Sequence, residues 1–181
     1  MKAGSKAIYL IKKYEGCQLK AYRCPAGLLT IGFGNTYYED QSKVKENDVI
    51  TQKRAEELLM NLLPKYCDIV NKNIKVELTQ NQFDALVSHT WNCGGSKTLF
   101  SLINNKASDQ AIKDFFEKNY IKGGGIILNG LIKRRKEESQ IFFMKNDNKI
   151  VWSKFAGLAS QWAVAIFILL FFGYGCSYNT F

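Results

Sequence analysis

The chain contains one histidine, His89, and no Cys-x-x-Cys pair among its five cysteines, Cys17, Cys24, Cys67, Cys93 and Cys176. A metal site built on close-set His and Cys ligands is therefore not expected. An odd cysteine count at irregular spacing does not describe a disulfide framework either, although a Cys17–Cys24 pairing stays open. There are two prolines in 181 residues and no Ser- or Gln-rich tract, which argues against long disorder. No secretory signal opens the chain, because the apolar run in MKAGSKAIYLIKKYEG is short and broken by charge. No internal repeat is evident. Acids are few: 16 against 25 bases, a net charge of +9 that lies almost wholly before Val151. Such a balance favours an anionic partner, whether nucleic acid, an anionic membrane surface or an acidic polymer such as a bacterial cell wall. No Lys/Arg run interleaved with aromatics supports the first of these. KRRKEE, Lys133 to Glu138, is answered at once by two acids and reads as a solvated helix face.

The length suits one domain, over 1–150, with enough chain for a sizeable core. It is followed by a hydrophobic tail, 151–181. Trp162 to Tyr174 is uncharged and strongly apolar, and extended back to Ala156 it approaches the ~20 residues that cross a bilayer core. The stretch 156–175 is a candidate membrane segment. A buried C-terminal helix and a tail without native function are the competing readings. Lys154 before it, with little charge after it, favours a cytoplasmic position for the preceding domain.

Periodicity outlines the domain. Ser5 to Tyr14 reads as a short amphipathic helix, N-capped by Ser5 and ending near Gly16. Lys20 to Thr36 reads as a hairpin: LKAYR, a turn at CPAG, then LLTIGFG. A polar loop follows. Thr51 opens a helix with leucines at helical spacing and a kink expected at Pro64. Thr79 opens another helix, stopped by Gly94–Gly95. Two shorter helices follow over 96–104 and 108–120, then a turn at Gly123–Gly125. A last helix from Gly130 carries a basic, then acidic outer face. The pattern is α+β: a small N-terminal β-hairpin region and a mostly helical C-terminal lobe.

Glu15 is the acid of most interest. It ends a short helix directly before a glycine and a hairpin, where a carboxylate can project into a cleft. Glycoside hydrolysis needs an acid to protonate the leaving oxygen. It also needs a second group to activate water, or to face the cationic transition state. Gly32 and Gly34 suit close backbone approach and cleft shaping, whereas GFGN lacks the spacing of a dinucleotide loop. His89 falls on the apolar side of its helix and reads as packing. Cys67 and Cys93 read as small buried hydrophobes.

The run E-G-x-x-L-K-A-Y-x-C-x-x-G-x-x-T-I-G-x-G, Glu15 to Gly34, resembles the catalytic signature of phage-type lysozymes, the endolysins of glycoside hydrolase family 24. LTQNQFDALVSHTWNCG, from Leu78, is similar to that family's central helix, and GLIKRRKEE, from Gly130, to its C-terminal helix. The resemblance runs from about Ala7 to about Phe143. It implies a lysozyme-like fold and a cofactor-free muramidase acting on peptidoglycan. The bond cut would be the β-1,4 link between N-acetylmuramic acid and N-acetylglucosamine.

By that resemblance Glu15 is the general acid and Cys24 takes the place of the second catalytic group, an aspartate or, in some members, a cysteine. Thr30 holds the attacking water. Arg134 approaches Glu15 from the C-terminal helix, with Arg135 as an adjacent competitor. Asn35 stands where the family usually has histidine. An ordinary thiol titrates near pH 8.5, against about 3.9 for an aspartate, so a catalytic Cys24 would want nearby positive charge such as Arg23 or Lys20. Base, anion and nucleophile are all open to it; the family's usual inversion favours water activation. The bland alternative has Cys24 packing while Glu15 and Thr30 do the work. A Cys17–Cys24 disulfide would silence the thiol; two free thiols in a reducing cytoplasm is the competing state. The resemblance further implies a monomer kept in the host bacterial cytoplasm until a holin-type pore admits it to the wall, or tethered to the inner membrane through 156–175. A non-catalytic wall-binding relative and a basic nucleic-acid-binding protein are the alternatives. Without a groove-reading motif, nucleic acid is not expected as a partner.

Overall fold

The computed structural model describes residues 1–24 and 27–145. The candidate membrane segment 156–175 and the rest of the tail lie outside the described residues. Among those described, no helix is long and apolar enough to cross a membrane.

Helix α1, Ser5–Glu15, buries Ala7, Leu10 and Ile11, one stripe at helical spacing. Its N-cap is Gly4 and not Ser5. The Gly4 N–H donates to Asp84 Oδ1 at 2.7 Å, so the cap comes from another helix. A Cβ on Gly4 would meet Asp84 Oδ2 at 2.6 Å, which is why a glycine stands there. Gly16, at φ 66°, ends α1.

Strand β1, Gln18–Arg23, pairs antiparallel with β2, Leu29–Gly32, through Tyr22↔Thr30 and Arg23↔Leu29; the register shifts between Gln18 and Tyr22. The extended segment expected to run on through Gly34 stops at Gly32. Gly32 and Gly34 take φ of 62° and 83°, and the chain doubles back so that Ile31 and Asn35 exchange backbone hydrogen bonds at 2.8 and 2.9 Å.

Helix α2, Gln52–Asn73, is capped by Thr51, whose side chain accepts from the Arg54 N–H, and it continues through Pro64. It serves two cores. Ala55, Leu59, Leu63, Cys67 and Val70 join the main cluster, while Leu58 and Leu62 join Ile31 and Val44 in a smaller one beneath the hairpin. Truncating a fully buried leucine such as Leu58 or Leu59 to alanine is expected to cost about 2–5 kcal/mol.

Helix α3, Gln80–Cys93, opens on a full capping box between Thr79 and Gln82 and closes at Gly94 in the left-handed region. Every residue from Phe83 to Thr90 is buried, because α1, α2 and the last helix all pack on it. Helices α4, Lys97–Asn104, and α5, Asp109–Lys118, take their caps from Ser96 and Ser108. The glycine turn joins two-residue strands, β3 Lys122–Gly123 and β4 Ile126–Ile127. Helix α6, Asn129–Phe142, packs on α3, α5 and α1.

KRRKEE is a solvated face only at Lys133 and Lys136, which are exposed. Arg134, Arg135 and Glu138 are 2 %, 0 % and 0 % exposed. Burial is tolerated because Glu138 lies three and four residues beyond the two arginines and pairs with both, at 3.1 and 3.2 Å.

Candidate active site

Glu15 is the last residue of α1, where the negative end of the helix dipole disfavours a carboxylate. A buried cation answers it: Arg134 Nη1 donates to Glu15 Oε1 at 2.7 Å. Arg134 is fixed from three further sides. Its Nε donates to Glu138 Oε1 at 3.1 Å and its Nη2 to the Ser88 carbonyl at 3.2 Å, and its guanidinium lies 5.6 Å from the Tyr14 ring centroid. Tyr14 donates in turn to Glu137 at 2.6 Å, and Lys13 pairs with the same carboxylate at 2.7 Å. Burial and that hydrogen bond push the Tyr14 phenol up to about 12, so the ring under Arg134 stays neutral.

Arg135 points elsewhere. It donates to Asn92 Oδ1 at 3.0 Å, to Cys93 Sγ at 3.0 Å and to Glu138. Of the two adjacent arginines, Arg134 is the one on Glu15. Burial pushes the Glu138 carboxyl up while both guanidiniums and the Ser88 hydroxyl, at 2.7 Å, draw it down. Cys93, expected as a plain buried hydrophobe, is only half-buried and accepts from Arg135. Cys67 is buried, as expected.

Glu15 opens into a cavity of about 190 Å³. The near side is Gly34, Asn35 and Thr36, from the turn after β2. A Cβ on Gly34 would sit 3.1 Å from Glu15 Oε2, so the glycine lets backbone close on the carboxyl. Asn35 is 6 % exposed, and its Oδ1 has no hydrogen-bond partner among the described residues. The rest of the lining is Tyr37, Leu62, Lys65, Tyr66, Trp91 and Asn92. Tyr66 and Trp91 pack with ring centroids 4.6 Å apart.

Thr30 and Cys24 lie on the hairpin and are not among the residues that line this cavity. Thr30 is 3 % exposed, and its hydroxyl donates to the Leu28 carbonyl at 3.1 Å. Cys24 is half-buried in the turn between the strands, its N–H donating to Leu28 and its carbonyl accepting from Gly27. Tyr22 lies on β1, and burial pushes its phenol up, with Cys24 and Glu15 adding to the rise.

No disulfide joins Cys17 to Cys24. Strand β1 runs extended between them, which sets them on the order of 20 Å apart along the chain. Bridged cysteines need their Cα atoms within about 7 Å. Cys17 packs instead against the main core, and burial pushes its thiol up. His89 is packing, edge-on to Phe116 and Tyr120 at 5.6 and 5.2 Å. Among the described residues no group of His, Cys, Asp and Glu could hold a metal ion.

Sequence reasoning reached Glu15, Arg134, Gly34 and Asn35. It missed Tyr14, Ser88 and Glu138 behind the arginine, and the wall of Tyr37, Lys65, Tyr66 and Trp91. For Glu138 a signal existed in its helical spacing from Arg134; the wall comes from three separate segments and had none.

Comparison with known proteins agrees with this architecture. The phage lysozyme family matches residues 12–138. The endolysin of Acyrthosiphon pisum secondary endosymbiont phage 1 is 38 % identical over 148 residues, covering 78 % of this chain and 98 % of its own. Among solved structures, the endolysin of Escherichia coli O157:H7 phage FAHEc1 superposes with a TM-score of 0.70 at 34 % identity, over 79 % of this chain and 94 % of its own. The L86M mutant of P22 lysozyme does so at 0.67 and 32 %, over 80 % and 99 %. With the buried arginine on the helix-terminal glutamate and these likenesses together, the chain belongs to the phage lysozyme family.

Proposed function

We infer that the chain is an endolysin, a glycoside hydrolase that cuts the β-1,4 bond between N-acetylmuramic acid and N-acetylglucosamine in peptidoglycan and so lyses the bacterial wall. The observation that carries this is the Glu15 carboxyl at the edge of an open cleft, gripped at 2.7 Å by a buried Arg134. Glu15 protonates the leaving glycosidic oxygen. Arg134 then receives the carboxylate that Glu15 has become, and its own anchors on Glu138, Ser88 and Tyr14 keep that carboxylate aimed. Thr30 has committed its proton to the Leu28 carbonyl. Its remaining lone pairs accept from a water, which orients that water's oxygen for attack. Cys24, acting as the thiolate, takes the proton released as the water adds, and inversion is the outcome. The two bonds that form and break are then the C1–water and C1–leaving-oxygen bonds, with one proton given by Glu15 and one taken by Cys24.

The enzyme acts as a monomer. Before lysis the protein is held on the cytoplasmic side and passes to the wall through a holin-type pore. The apolar stretch 156–175 is the part suited to touching the inner membrane, as its length and the single flanking Lys154 suggest.

Muropeptide analysis of digested wall tests the reaction class. Products ending in reducing muramic acid are expected. A 1,6-anhydro end would identify a lytic transglycosylase instead, and no product would leave a wall-binding protein without turnover.

A further inference from the structure

The lining of the cleft carries a cation that the hydrolytic chemistry does not use. Lys65 and Glu15 are the charged residues among those lining the cavity. The Lys65 side chain is exposed and donates to Tyr37 Oη at 2.8 Å, with its ammonium 5.1 Å from the Tyr37 ring centroid. No carboxylate pairs with it among the described residues. Tyr66 lines the same cavity, and burial pushes its phenol up to about 12. Tyr66 packs on Trp91. Lys65 therefore rests on the Tyr37 ring and hydroxyl, in the same cleft as Glu15, with N–H donors left over.

A glycan of N-acetylated sugars is neutral along its backbone. Its negative charge sits on the muramyl lactyl group, where that ends free, or on the carboxylates of the peptide stem attached there. We propose that Lys65, held by Tyr37, is a binding site for a carboxylate borne by the muramyl side chain of the wall polymer. Such a contact orients muramic acid relative to Glu15 and so helps to determine which of the two glycosidic bonds is presented. The inference rests on the muramidase reading above.

The test compares wild type, Lys65→Gln and Lys65→Arg on three substrates. These are intact wall, wall whose carboxylates have been converted to neutral amides with carbodiimide and ammonia, and glycan strands freed of stems by an amidase. Lys97→Gln, an exposed lysine outside the cleft lining, controls for bulk charge. On intact wall, Lys65→Gln is expected to lower kcat/KM by about three- to five-fold, the size of an exposed charge pair. Lys65→Arg restores much of it, and on amidated wall the deficit disappears. A deficit that vanishes on stripped strands assigns the stem carboxylate, and one that persists there shows that Lys65 also takes the lactyl carboxylate that the amidase has freed. Equal rates for wild type and Lys65→Gln on intact wall would overturn the proposal. So would an undiminished deficit on amidated wall, or an equal loss in Lys97→Gln. Wild-type turnover in the same assays reports on the muramidase reading separately, so the two can fail independently.

Discussion

Replacing His89 with phenylalanine isolates one source of acid sensitivity in the fold. His89 is 1 % exposed on α3, edge-on to two rings, and neither ring nitrogen has a hydrogen-bond partner among the described residues. Burial, helped by the charges of Arg135 and Arg134, pushes its pKa from 6.5 down to about 3. The unfolded chain thus takes up a proton near pH 6.5, while the folded chain holds the ring neutral until near pH 3. A depressed pKa of this kind contributes stability that is whole above the unfolded value. That stability is lost as pH falls towards the folded value, at up to about 1.4 kcal/mol per pH unit. From pH 7 to pH 5 the loss from this one group comes to about 2 kcal/mol. His89→Phe keeps an aromatic ring of similar size and removes the titration. Urea unfolding at the two pH values should show wild type losing about 2 kcal/mol more than the variant over that interval. Carboxylates contribute their own pH dependence, but it is common to both proteins and cancels in the comparison. Parallel losses would mean that the folded state protonates His89 as readily as the unfolded chain does, and the burial argument would fail.

Glu138→Ala leaves Arg135 buried without a carboxylate and Arg134 with Glu15 alone, and should cost about 3–5 kcal/mol, read as a lowered Tm. In the fraction that still folds, wall lysis should also slow, because Arg134 loses the anchor at its Nε. Gly34→Ala forces a side chain to φ 83° and within 3.1 Å of Glu15 Oε2, so it should lower lytic activity by more than its strain of about 1–2 kcal/mol lowers stability. Unchanged activity would show that backbone closure on Glu15 is not needed. Cys24→Ala should reduce the rate by about a hundredfold, the scale of a general base, while Cys24→Asp retains a good share. Lysis by Cys24→Ala at the parental rate would assign the thiol to packing.

How far the sequence could be read depends on where each residue's partner sits. Thr51 and Thr79 cap helices through contacts three residues away, and Gly16 and Gly94 end helices through their own φ, so these boundaries were legible. Gly4 was not, because its cap is Asp84, eighty positions along the chain. The TIGFG run suggested continued strand because apolar and small residues alternate there. Two positive-φ glycines bend it instead into the turn that lines the cleft.

The paired arginines make the same point about the site. Local charge pattern gives Arg134 and Arg135 equal claims on Glu15, and equal claims to a solvated face. Adjacent residues on a helix point about 100° apart, so one packing orientation of α6 must separate them. With α6 laid against α1 and α3, Arg134 faces the end of α1 and Arg135 faces Asn92 and Cys93 at the end of α3. Glu138, one turn on, pairs with both, and Glu15 supplies the second negative charge that the two cations need. Glu138 shared between the arginines, and Glu15 on Arg134 alone, together let two neighbouring cations stay buried while only one of them reaches the end of α1.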